Sequence, residues 1–178
     1  MENQPYPASK HALVYGAYVT AALIVLSLAF YVLDLYGQTW TGYISYAVLL
    51  IGVVIASYHY RDNHMGGFIT YGQSFMTGFL TALFAAIGVG IFSYIFMSLM
   101  PPEFTQNIMD QAEEKMLENN PELTDEQIDM AMSMTRKFMN PGMMAGMAFL
   151  AYTFFGVIFS LLASIFIKRE DDSMGVEG

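Results

Sequence analysis

The sequence predicts an all-α membrane protein: four transmembrane helices, with an extracytoplasmic amphipathic helical hairpin between helices three and four. Three observations lead there. Apolar residues make up 55% of the chain and charged ones 13%, and the apolar residues fall into long runs rather than alternating with polar ones. The longest run, Ser74 to Met100, carries no charged side chain over 27 residues. At about 1.5 Å per residue such a helix is roughly 40 Å long, enough to cross a hydrocarbon core of about 30 Å with some tilt. A strongly acidic stretch, residues 103–139, then separates this run from the last apolar one.

The first span is expected over about 12–34. Gly16, Thr20, Leu23, Ser27, Phe30 and Asp34 place mostly small and polar groups on one face of it. The polar start MENQPYPASK and the length of the following run argue against a cleavable signal, so this helix is read as a retained anchor. A short turn, 37–42, lacks Lys and Arg, and Tyr36, Trp40 and Tyr43 occupy the level of an interfacial aromatic belt. The second span, about 41–60, has Ser45, Leu49, Gly52, Ala56 and His59 along one side. Arg61 to Gly67 form a polar connector whose glycines end helical structure.

The third span, about 74–100, is placed at the centre of the bundle. Ser74, Gly78, Ala82, Ala86 and Gly90 recur every four residues, and small residues of this kind let helices approach closely in lipid, where apolar attraction between them vanishes. Pro101 and Pro102 stop it. The 103–139 insertion holds nine of the sixteen acids, so it cannot cross a bilayer. Phe104, Ile108, Ala112 and Met116 define an amphipathic helix to about Asn119, and Asn119-Asn120-Pro121 turns the chain. Thr124 and Gln127 form a capping box, with Leu123 and Ile128 as a staple, for a second amphipathic helix from Asp125 to about Met139. Asn140 and Pro141 start the fourth span, about 142–167, whose seam runs Gly142, Gly146, Phe149, Thr153, Gly156, Ser160, Ala163. The acidic tail after Arg169 is expected to be disordered. The whole of 1–178 forms one integral membrane domain.

Lys10, Arg61, Lys168 and Arg169 share one side of this arrangement, against Arg136 and Lys137 on the other. The bias places both termini in the cytoplasm and the hairpin outside it. A formal charge of -9 makes nucleic acid an unsuitable partner, and the absence of cysteine removes disulfides, thiolate metal sites and thiol nucleophiles.

Chemistry is less legible. Eleven of fifteen methionines lie between Met97 and Met147, and Met130, Met132, Met134, Met143, Met144 and Met147 could offer thioethers to Cu(I). Methionine fills cores and adaptable grooves without any metal, however, and no His or Cys accompanies these. Asp34 reads as a solvated interfacial carboxylate rather than a buried functional one. His59, Asp62 and His64 lack the i, i+4 pair of a helical metal site and read as ordinary polar turn residues. No nucleophile elbow, H-E-x-x-H, P-loop or dinucleotide turn occurs, so no catalytic residue, cofactor or metal is assigned and the chain is read as a non-enzyme.

The segments HALVYGAYVTAALIV, ITYGQSFMTGFLTAL, SLMPPEF with its acidic Met-containing helix, and GVIFSLLASIFIKRED together resemble the domain of unknown function 4199 family. The resemblance covers nearly the whole chain. It implies a small bacterial inner-membrane protein, mostly found in the Bacteroidota, with two spans, a short cytoplasmic turn, a third span, an extracytoplasmic helical insertion and a last span. It implies no activity.

The expected function is therefore an interaction or scaffold module in which Phe104, Ile108, Met116, Ile128, Met132 and Phe138 meet a protein partner or a second copy. Gly78, Ala82, Ala86, Gly90, Gly142, Gly146 and Gly156 are expected to pack the spans. The alternative is a small transporter or a ligand or Cu(I) carrier, with Asp34, Tyr71 and Gln73 lining a polar path.

Overall fold

The computed structural model describes residues 6–36 and 38–169. The expected tail after Arg169, Gly37 of the first turn and the first five residues lie outside them. Six helices follow in order: α1 (Ala8–Val32), α2 (Thr39–His64), α3 (Tyr71–Leu99), α4 (Pro102–Asn119), α5 (Asp125–Phe138) and α6 (Pro141–Ile167). Helices α1, α2, α3 and α6 are long and apolar enough to cross a membrane. Their outward faces carry a belt of exposed apolar side chains, among them Val25, Ile51, Ile91, Phe154 and Phe166, as a lipid-facing surface requires. This is a multi-pass membrane protein.

The helix ends depart from the apolar runs for a physical reason: hydropathy reports the thickness of hydrocarbon, whereas a helix stops where its backbone is capped. Helix α2 continues past Tyr60 through Arg61 and Asp62 until Gly66 and Gly67, which adopt φ of 65° and 88°. Helix α1 ends in a Schellman motif. Asp34, at φ 57°, donates its N–H to Tyr31 O at 3.1 Å and Leu35 donates to Phe30 O at 2.8 Å. Helix α3 begins at Tyr71, three residues before the expected start of the span, where Thr70 Oγ1 accepts from Gln73 N at 3.3 Å and Gln73 Oε1 accepts from Thr70 N at 3.1 Å.

The four spans run up, down, up and down. Helix α3 packs on α1, α2 and α6 and is the most buried of them, while α1 and α6 stand across the bundle from one another. Small residues set this packing. Gly78 faces Ser160 and Val53, Gly156 faces Ala82, Gly16 faces Phe84, and Gly52 faces Val19. Gly78, Ala82, Ala86, Gly90 and Gly156 are all buried.

Gly142 and Gly146 are not part of the seam. Both are exposed, and a Cβ on Gly146 would meet nothing within 4 Å. Toward the hairpin end α6 still touches α3, where a Cβ on Gly90 would meet Ala145 O at 3.4 Å and Phe149 Cβ at 3.5 Å, but the burial of α1, α2 and α6 thins out there. Past Leu23 in α1, before Leu49 in α2 and before Gly156 in α6, no residue of these helices is buried. Small residues draw the helices together at the end holding the chain's basic residues Arg61, Lys168 and Arg169. At the hairpin end, bulky rings hold them apart: Tyr46 of α2 meets Phe155 and Tyr152 of α6 at centroid distances of 4.2 and 5.6 Å.

Candidate functional site

Three places in the molecule gather chemistry. The first is the closed end of the bundle, where all three histidines converge. His11 Nε2 donates to Ala56 O at 2.9 Å, Tyr15 Oη lies 2.7 Å from His59 Nδ1, and His64 stacks on Tyr6 at 4.5 Å with its edge toward His11. His11 was not legible as part of this group, because it comes from α1, almost fifty residues before His59. Asp62 bridges Arg61 at 2.7 Å instead of joining the histidines, and no metal-competent group of three His, Cys, Asp or Glu occurs among the described residues. Reciprocal 2.9 Å backbone hydrogen bonds between Ile69 and Arg169, together with Arg61 Nη1 donating to Ile167 O at 3.4 Å, lock this end shut.

The second is the hairpin. Helices α4 and α5 pack on each other, burying Met109 and Ile128, and Gln127 Oε1 accepts the Thr124 N–H at 3.0 Å to fix the start of α5. The expected partner-binding stripe is largely used up inside the molecule. Phe104 sits against Tyr31, Tyr36 and Phe96 at centroid distances of 5.4, 5.2 and 5.9 Å, Ile128 is buried, and Ile108, Met116 and Met132 are half-buried. Only Phe138 of the six is exposed. The face left open on α5 is Met130, Met134 and Phe138, at 64, 55 and 42% exposure and four-residue spacing, on the side opposite Ile128.

The third place is assembled from four helices and has no local sequence pattern of its own. Where the spans diverge, a cavity of about 400 Å³ opens between α1, α2, α3 and α6. Its inner part is formed by Leu23, Ser27, Val89, Ala151 and Tyr152, and its mouth by Tyr36, Thr41, Met97 and Met144. Among the described residues no charged side chain lines it, whereas seven hydroxyl-bearing residues do: Ser27, Tyr36, Thr41, Ser45, Tyr46, Ser93 and Tyr152. Thr41 and Ser45 spend their hydroxyls on backbone carbonyls of their own helix region, Gln38 O at 2.6 Å and Thr41 O at 3.0 Å. Among the described residues no such partner stands against the hydroxyls of Ser27, Tyr36, Tyr46 and Ser93, which also line the space. Burial pushes the Tyr36 phenol up, keeping it a neutral donor. Tyr36, expected in an outer aromatic belt with Trp40 and Tyr43, thus turns inward and stacks on Phe96 at 5.6 Å, while Trp40 and Tyr43 stay exposed.

The polar path expected of a carrier does not form. Asp34 is exposed near the mouth, whereas Gln73 caps α3 at the opposite end of the bundle and Tyr71 there donates to Leu161 O at 3.4 Å. Of the six expected thioether ligands, Met144 and Met147 reach the cavity, joined by Met97, while Met130 and Met134 face outward on α5.

The family described as "Protein of unknown function (DUF4199)" matches residues 14–169. No curated protein and no solved structure matches the chain.

Proposed function

The chain belongs to the DUF4199 family of proteins of unknown function, and from that premise we propose that it is a non-enzymatic interaction module of the bacterial inner membrane. Four spans carry the α4–α5 hairpin outside the cytoplasm, and the open face of α5 receives a partner protein. The observation that carries this reading is the stripe Met130, Met134 and Phe138, exposed on a helix whose opposite side is already consumed by its neighbour. Methionine and phenylalanine at four-residue spacing suit an apolar helix laid across them, and flexible thioethers adapt to its shape.

Charge narrows the partner. The 103–139 segment holds nine acids against Lys115, Arg136 and Lys137, so an anionic lipid surface repels it and a helix flanked by Lys or Arg is attracted to it. Orientation follows from Arg61, Lys168 and Arg169, which stand at the closed end and favour the cytoplasmic side together with Lys10.

A photo-crosslinking residue placed at Met134 in cells tests the proposal. One reproducible protein adduct is expected, lost when Met130→Glu is added and absent when the crosslinker sits at lipid-facing Ile87. Equal adducts from both positions, or co-purifying proteins unchanged after deletion of 103–139, would remove it.

A further inference from the structure

We propose that the cavity at the divergent end of the bundle is a binding site for a neutral, ring-shaped carbonyl compound of the quinone type. It draws on other residues than the open face of α5, so either reading could fail alone.

Charge is the first constraint. An ion buried among these side chains would find no countercharge, and an uncompensated charge in a low-dielectric space is strongly disfavoured. The occupant is therefore uncharged. Shape is the second. The rings of Phe30, Tyr46, Phe92 and Tyr152, one from each span, line the space, and such walls suit a flat aromatic body. Hydrogen bonding is the third. Hydroxyls of Ser27, Tyr36, Tyr46 and Ser93 line the cavity and have no acceptor among the described residues, so they suit a ligand that presents oxygen acceptors. Apolar walls with a few convergent polar groups and a volume of about 400 Å³ are the usual make-up of a small-ligand pocket. Met97, Met144 and Met147 complete the wall as adaptable apolar surface, with no carboxylate or imidazole beside them to favour a metal.

The chain supplies its own reporter. Trp40 is its single tryptophan, and its ring lies 5.9 Å from that of Phe30, which lines the cavity. Quinones quench indole fluorescence, so titrating the full-length protein in detergent with menadione reads occupancy directly. Saturable quenching is expected. Ala151→Phe, which fills the inner cavity, should weaken binding at least tenfold. Tyr46→Phe, which removes one neutral hydrogen bond, should weaken it roughly three- to tenfold. A menaquinone with a short prenyl tail, supplied in lipid nanodiscs, distinguishes a ligand drawn from the bilayer, which binds more tightly with its tail, from one drawn from water, which gains nothing from it. Quenching that stays linear with menadione, or a saturable response that both substitutions leave unchanged, overturns the proposal. So does saturation by Cu(I) with no response to menadione. Should Ala151→Phe fail to fold, Tyr46→Phe decides on its own.

Discussion

Glycines in this chain are not equivalent, and the difference is measurable one residue at a time. A methyl group on Gly156 would run into the Cβ of Ala82, which is backbone-anchored and cannot yield, so Gly156→Ala should destabilise the bundle by about 1–3 kcal/mol, read as a lower melting temperature in detergent. Gly146→Ala places its methyl in open space and gains helix propensity, so it should be neutral or stabilising by up to about 1 kcal/mol. Both glycines sit on the same seam in the sequence, and nothing in their spacing tells them apart. What separates them is what stands opposite: Gly156 faces Ala82 of α3, whereas no neighbour lies within 4 Å of a Cβ on Gly146. Asp34 is a second case. Its carboxylate is an ionisable group beside an apolar run, yet its positive φ makes it the residue that ends α1. Asp34→Gly should keep or raise stability, whereas Asp34→Val should cost about 1–2 kcal/mol by forcing a β-branched residue into the left-handed region. The same melting measurement separates a backbone role from a charge role, since Asp34→Gly removes the charge too.

At the scale of helices, the caps were the best-read features. Asn140 before Pro141 announced the start of α6, and Asn140 Oδ1 accepts from Met143 N at 2.9 Å. Asn140→Ala should cost about 1 kcal/mol, seen as faster hydrogen exchange in the first turn of α6. The Thr70–Gln73 box has the same sequence signature as Thr124–Gln127 but was obscured by the apolar span expected just after it. The hairpin itself was legible from its apolar period, but the use of that period was not. A single amphipathic stripe cannot say whether its partner is the neighbouring helix or another molecule, and here Met109 and Ile128 are buried while Phe104 reaches back to Tyr36 and Phe96. Met109→Asp should therefore open the hairpin and speed proteolysis within 103–139 by tenfold or more, whereas Met130→Asp, on the open face, should leave the cleavage rate close to wild type.

For the molecule as a whole, four spans and their central third helix could be read from runs and small-residue ladders, because each signal is local to one helix. The cavity could not, because Ser27, Tyr46, Ser93 and Tyr152 come from four helices and no one of them carries a pattern alone. Alkaline phosphatase fused after Asn120 should be active, and fused after Asn63 inactive; the reverse result would invert the proposed orientation. The uneven closure of the bundle also has a mechanical meaning. Reciprocal backbone bonds and a zipped glycine seam make one end a pivot, and the unclosed halves of the spans are arms hung from it. Over an arm of roughly 25 Å, a tilt of about 5° displaces the tip by about 2 Å, so an opening or narrowing of the mouth asks little of the pivot. Forceps work the same way, and Phe104, packed on Tyr31, Tyr36 and Phe96 at the tips, ties these arms to the hairpin.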